Sequence, residues 1–77
     1  MNKTIKNIIH IAGSQQKLAD FCGVSQMTVS KWLNGGGINS RYIPLLVEAS
    51  EGLYTSEELI NELFNYKLQE GNRNGTQ

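Results

Sequence analysis

Five side chains between residues 26 and 34 could take part in molecular recognition through hydrogen bonds and apolar contact. Gln26, Ser30, Lys31 and Asn34 carry amide, hydroxyl and ammonium groups, and Met27 adds an apolar tip. A glutamine amide both donates and accepts, whereas a lysine ammonium only donates. Such a set can match the donors, acceptors and methyl groups on the edges of DNA bases, provided that one helix turns them to the same side.

Catalytic and metal-binding chemistry is not expected. The single histidine, His10, and the single cysteine, Cys22, give no metal-ligand spacing and no disulfide. Ser14 and Ser25 are interpreted as helix caps, because no base and orienting acid accompany them. The glycines at 35–37 lack the ending of a phosphate-binding loop. We therefore expect no enzyme, no catalytic residue, no cofactor, no metal and no small-molecule ligand.

The elements that must position these side chains are short helices. An apolar stripe with helical spacing predicts a first helix that ends at Gly13; it consists of Ile5, Ile8, Ile9 and Ala12. Helices are predicted at 15–22, after Ser14, and at 26–33, after Ser25. Gly23 suits a turn between them that needs a positive φ.

The predicted inward faces of these two helices leave the polar side chains outside. Leu18, Ala19 and Cys22 would face inward from the first of them. Val29, Trp32 and Leu33 would do so from the second. The remaining outward positions are those of the polar set, and two helices joined by a tight glycine turn are typical of the helix-turn-helix motif.

Two further helices are predicted in the second half of the chain. One starts at Ser40 and ends near Ala49, with Pro44 early in it. The other begins with the pattern Thr55-x-x-Glu58, which is typical of a capping box, and runs over 56–69. Its apolar side consists of Leu59, Ile60, Leu63, Phe64 and Leu68. The polar residues 70–77 are predicted to be a disordered tail, which leaves one domain at 1–69.

Charge is divided between the two halves of the chain. Residues 1–42 contain five basic residues and one acidic residue, for a net charge of +4, and residues 43–77 contain two basic and six acidic residues, for −4. The basic half can attract a polyanion while the acidic half faces away or meets a partner. Chance placement of a few charges is the alternative.

The stretch QQKLADFCGVSQMTVSKWLNG resembles the helix-turn-helix of the Cro and CI repressors of lambdoid phages. The family spacing of a glutamine, an alanine, a glycine and two apolar residues is kept by Gln15, Ala19, Gly23, Val29 and Trp32. With the following IPLLVEASEG, the chain over 5–63 is similar to the small all-helical Cro-like group that includes YdaS-like prophage regulators. The resemblance implies an all-α, lambda-repressor-like fold of five helices.

The resemblance also implies a sequence-specific transcription regulator that binds a double-stranded DNA operator. The base-contacting residues would be Gln26, Met27, Ser30 and Lys31. The residues that contact the DNA backbone would be Gln15, Gln16, Ser25, Lys17, Asn34 and Arg41. The sequence departs from the family pattern at Met27, where a polar residue is common. It departs again at 35–37, which we expect to be loose, so that Asn39, Ser40 or Arg41 could supply a backbone contact there.

Size and composition bound the remaining expectations. A chain of 77 residues has a small core, and the apolar last helix could cover a second subunit, so a homodimer is favoured. No segment is long enough to cross a membrane, and the expected location is the bacterial cytoplasm, at the nucleoid through DNA binding. A prophage activator or antitoxin-type regulator is the nearest alternative. A protein-interaction module that uses the acidic last helix is the alternative of another class.

Overall fold

The computed structural model describes residues 1–64. Within that range the chain forms five α-helices and one short 3-10 turn, and no strand is found there, so the all-α prediction is confirmed. The predicted end of the last helix at residue 69, Leu68 and the predicted tail at 70–77 lie outside the described residues.

The second and third helices have the bounds that the sequence predicts, and the first ends just before Gly13, as predicted. They are α1 (Lys3–Ala12), α2 (Gln15–Cys22) and α3 (Gln26–Leu33). Ser14 caps α2, because its Oγ accepts from the backbone N–H of Lys17 at 3.0 Å. Gly23 ends α2 in the left-handed region at φ 73°, which glycine adopts without steric cost.

The fourth helix begins later than the sequence predicts. Residues Ser40–Tyr42 form a 3-10 turn, and α4 spans Ile43–Ala49. The Oδ1 atom of Asn39 caps the 3-10 turn through the N–H of Arg41 at 2.9 Å. Pro44 then falls within the first two positions of α4, where the missing N–H of a proline would have had no partner within the helix. The predicted start at Ser40 is therefore wrong by one short turn.

The last described helix, α5, starts at residue 56 and reaches residue 64. Its capping box is confirmed in both directions. The N–H of Thr55 donates to Oε1 of Glu58 at 2.9 Å, and the N–H of Glu58 donates to Oγ1 of Thr55 at 3.1 Å.

One apolar core joins all five helices. Its fully enclosed members are Ile5, Ile8, Leu18, Ala19, Val29, Leu46 and Leu59. Ile38, in the connection between α3 and the 3-10 turn, is also buried, and the sequence analysis missed it. Because α2 and α3 both contribute to this core, the side of α3 that carries Val29 is committed to the interior.

Polar contacts connect α1 with α5 and with the loop that precedes it. The amide Nδ2 of Asn7 donates to the hydroxyl of Tyr54 at 3.0 Å, and Oγ1 of Thr4 lies 3.5 Å from Oε1 of Glu62. The described chain contains no helix with the length and apolarity needed to cross a bilayer.

Candidate functional site

The outward face of α3 carries the predicted base-contacting side chains. Gln26, Met27 and Lys31 are exposed and Ser30 is half-buried. The side chain of Met27 is 69% exposed, which is a large apolar exposure at the start of a helix. Because residues four apart are neighbours on a helix, the structure brings these four residues to one side of α3.

The opposite face of α3 fixes its orientation. Val29 is fully enclosed and Trp32 is 2% exposed. The Trp32 ring lies 5.3 Å from the ring of Tyr42, centre to centre, and the planes are inclined at 53°. Such tilted aromatic pairs are favourable beyond the area that they bury. Rotation of α3 about its axis would expose these side chains, so the polar face is held outward by the core.

Ser25 caps the first turn of α3. Its Oγ accepts from the backbone N–H of Thr28 at 3.2 Å and lies 3.1 Å from the hydroxyl of Thr28. Its predicted role as a cap is confirmed, and its contact with a DNA phosphate stays a prediction.

At the other end of α3, every carbonyl of the last turn accepts a hydrogen bond. The N–H and the side-chain amide of Asn34 both donate to the carbonyl of Ser30, at 3.1 and 2.9 Å. The N–H of Gly35 donates to the carbonyl of Trp32 at 3.2 Å. These carbonyls have no partner within their own helix, so the bonds complete its end.

The two remaining carbonyls of this turn are bonded by residues farther away. The N–H of Gly36 donates to the carbonyl of Lys31 at 2.7 Å, and the N–H of Asn2 donates to that of Leu33 at 2.7 Å. Gly36 thus has a backbone hydrogen bond within the segment 35–37 that we expected to be loose, and the DNA contact expected from Asn39, Ser40 or Arg41 stays a prediction. The role of Asn2 was not predicted from the sequence. Its side chain accepts from the N–H of Ile5, and an asparagine just before an apolar helical stripe is an N-cap signal that could have indicated that role.

The residues predicted to contact the DNA backbone from α2 lie in its first turn. Gln15 is half-buried, and Gln16 and Lys17 are exposed. The amide of Gln16 donates to Oδ1 of Asp20 at 2.8 Å, one helical turn later. The side chain of Lys17 folds against Gly13, since a Cβ added there would meet its Cδ at 3.0 Å.

Arg41 and Asn34 complete the predicted set and lie in different surroundings. Arg41 is exposed, and its guanidinium lies 5.5 Å from the centre of the Tyr42 ring, within the range of a cation–π attraction. Asn34 is exposed, but its amide already donates to the helix end. The structure thus brings the four base-contacting candidates together and distributes the others over the start of α2, the two ends of α3 and the 3-10 turn.

The thiol of Cys22 is buried in the core. Burial raises the pKa of the Cys22 thiol above its ordinary value, because the charged thiolate would be poorly solvated. Within residues 1–64, no three His, Cys, Asp or Glu side chains lie together as a metal site would need.

Comparison with known proteins gives a family. A search of curated proteins found no match, and a search of solved structures found none. A family model described as bacterial toxin YdaS matches residues 5–66, which is most of the chain. The YdaS part of the resemblance is thereby confirmed, whereas the likeness to the Cro and CI repressors stays a prediction. The chain belongs to the YdaS family, a small prophage-associated family.

Proposed function

We propose that this protein is a sequence-specific DNA-binding transcription regulator, and that α2 and α3 form its helix-turn-helix. The observation that carries the proposal is the division of α3 into a face enclosed by the core and a face of hydrogen-bonding side chains in solvent. An α-helix fits the major groove of DNA, where each base pair presents a distinct pattern of donors and acceptors.

Each side chain on the outward face has a chemical role in this proposal. Gln26 pairs with adenine through its amide, and Lys31 donates to guanine O6 or N7. Met27 contacts a thymine methyl, and Ser30 supplies a hydroxyl to either a donor or an acceptor. No bond is made or broken, so the protein needs no enzyme activity and no cofactor.

Contacts with the DNA backbone set the register of α3. In the proposed geometry, α2 crosses the phosphates and presents Gln15, Gln16 and Lys17 to them. Ser25 and the uncapped N–H groups at the start of α3 approach another phosphate. Asn34 and Arg41 reach the backbone beyond the other end of α3. The net charge of +4 on residues 1–42 supports this arrangement.

A homodimer would read two half-sites. Leu53 and Ile60, near and on α5, are 51% and 42% exposed, so apolar surface remains for a second copy. A two-fold axis would place the two α3 helices about 34 Å apart on a pseudo-palindromic operator. Occupying the operator would exclude polymerase and repress transcription. An activator or antitoxin-type regulator would use the same DNA contacts with another outcome.

Selection of bound sequences from a random DNA pool tests the proposal at about 150 mM salt, where non-specific phosphate binding is weak. We expect a pseudo-palindrome with half-sites one helical turn apart. A single half-site would contradict the symmetric dimer and retain DNA recognition. A pool without enrichment would overturn DNA reading by α3 and favour a protein-interaction module that uses the acidic α5.

The Lys31→Ala variant tests the recognition face directly. If Lys31 reads a guanine, the variant should lose about 1–3 kcal/mol of specific binding and relax the preference at one position. If Lys31 contacts a phosphate, affinity should fall for all sequences alike and the salt slope should shrink by about one. Lys6→Ala, at an exposed lysine on α1, is the matched control. Equal affinities for the two variants would exclude Lys31 from the interface.

The family description favours a second candidate function, in which the protein arrests growth when it is produced in a bacterium. Occupation of DNA sites would be sufficient for this effect. The same two variants separate the possibilities when the proteins are induced to equal levels in cells. If Lys31→Ala restores growth and Lys6→Ala does not, growth arrest depends on DNA binding. Arrest that is unchanged by Lys31→Ala would assign it to another surface.

A further inference from the structure

The last turn of α3 is held from outside by two backbone hydrogen bonds. We define the α3 clamp as the bond from the N–H of Gly36 to the carbonyl of Lys31 and the bond from the N–H of Asn2 to the carbonyl of Leu33, both 2.7 Å long. The first donor is the middle one of the three glycines at 35–37, and the second is the N-cap residue of α1. Neither donor is part of α3.

A helix of eight residues needs such support at its ends. The α3 helix has two turns, and Lys31 lies in the second of them. Terminal turns fray because their carbonyls have no partner within the helix. Fraying here would move the backbone of Lys31 and therefore the ammonium that it carries. The first turn, with Gln26, is capped separately by Ser25.

We infer that Asn2 and Gly36 are positioning residues for DNA recognition: the α3 clamp fixes the last turn of α3 so that Lys31 meets its DNA contact in one orientation. This inference rests on the proposed function. It adds two residues that touch no DNA in that proposal and act through Lys31.

Gly36 has a geometry that only glycine can provide. A Cβ added at Gly36 would lie 2.8 Å from the carbonyl oxygen of Lys31, a backbone atom that cannot swing away. A Cβ added at Gly37 would meet nothing within 4 Å. Neither residue has a positive φ. Gly36→Ala therefore forces the loop away from the carbonyl of Lys31 and weakens the α3 clamp. Gly37→Ala adds the same methyl group without a clash and is the matched control.

Substitution of Asn2 by proline removes the other hydrogen bond of the α3 clamp independently of Gly36. Its φ of −84° is close to the value that proline adopts, so Asn2→Pro removes the N–H donor with little change in backbone shape. Asn2→Ala loses the same side-chain cap on Ile5 but keeps the N–H, and is the matched control. All proteins carry the same short extension before Met1, so that Met1 is retained and residue 2 keeps a peptide nitrogen.

A double-mutant cycle with Lys31→Ala measures the positioning role. Affinity for the selected operator is measured with and without Lys31→Ala in five backgrounds: the unchanged protein, Gly36→Ala, Gly37→Ala, Asn2→Pro and Asn2→Ala. Measurements are made where circular dichroism shows every variant folded. Lys31→Ala should weaken binding by about tenfold in the unchanged protein and in the two controls. It should weaken binding by less than about threefold in Gly36→Ala and Asn2→Pro.

Gln26→Ala in the same backgrounds completes the test. Its effect should be the same in all five, because Gln26 lies in the separately capped turn. A clamp that is only structural would lower operator affinity without changing the effect of Lys31→Ala. If Lys31→Ala weakens binding by the same factor in every background, the inference is overturned and the proposed function is not. Absence of a selected operator would overturn the proposed function instead. An unchanged protein that binds its operator but is indifferent to Lys31→Ala would overturn the inference, since the clamp would then position nothing.

Discussion

At the scale of single residues, the last turn of α3 is completed by backbone hydrogen bonds from residues outside the helix. The carbonyl of Lys31 is bonded by Gly36, and that of Leu33 by Asn2. Neither bond depends on the identity of a side chain, except that Gly36 must have none. If the α3 clamp positions Lys31, DNA recognition depends on Asn2 and Gly36, which would not be chosen as functional from their residue types.

Cys22 gives a prediction about pH. Burial raises the pKa of its thiol, so the unfolded chain releases this proton at a lower pH than the folded protein does. The thiol thus contributes stability below its unfolded pKa, and this contribution is lost as the pH rises through the folded pKa. Between about pH 7 and 9.5, the free energy of unfolding should fall more in the unchanged protein than in Cys22→Ala.

Urea unfolding at several pH values measures this difference. Cys22→Ala costs some packing at every pH, and the other titrating groups are common to both proteins. The two proteins therefore differ through the thiol only in how steeply the free energy of unfolding falls with pH. Parallel curves for the two proteins would contradict a raised pKa at Cys22.

At the scale of elements, α5 depends on a reciprocal cap. Thr55 accepts from the N–H of Glu58, and Glu58 accepts from that of Thr55. Thr55→Ala removes one of these bonds and should lower the free energy of unfolding by about 1 kcal/mol. In a domain of this size that corresponds to a fall of about 4–8 °C in Tm.

Thermal unfolding followed by circular dichroism checks the prediction, with Ser56→Ala as the control. Ser56 is the next residue, is exposed and lies within α5. An equal Tm for the two variants would show that the cap contributes nothing measurable to α5.

At the scale of the whole molecule, charge is divided between the two halves of the chain. Residues 43–64 contain no lysine or arginine, and all five glutamates there are exposed, namely Glu48, Glu51, Glu57, Glu58 and Glu62. Asp20, on α2, is the single carboxylate of the basic half. If α2 and α3 face the DNA, we expect the acidic half to lie away from it.

Neutralising carboxylates in the two halves should have unequal effects on operator affinity. Glu51→Gln together with Glu57→Gln should change Kd by less than about twofold at 0.1 M salt, because charges more than about 10 Å from a phosphate are screened. Asp20→Asn should tighten binding, because it removes a repulsion near the proposed interface and keeps an oxygen for Gln16. Fluorescence anisotropy measures both, and tighter binding by the double glutamine variant would place the acidic half against the DNA.

Most of the local structure could be predicted because its signals are local. Ser14, Ser25 and the Thr55–Glu58 pair bond to residues three positions away, and Gly23 supplies a positive φ at the turn. The start of α4 could not be placed as well. Ser40 and Asn39 are both plausible caps, and a 3-10 turn differs from an α-helix by one hydrogen-bond position.

The sequence by itself determined the five helices and the face of α3 that is polar. These follow from residue types at helical spacing. Only the tertiary structure revealed that Ile38 enters the core, that Asn2 reaches Leu33, and that Gly36 is held against Lys31. The physical reason is that Asn2 and Leu33 are far apart along the chain and meet only when the core brings α1 beside α3, while the Gly36 contact depends on the path of a loop that carries no periodic signal.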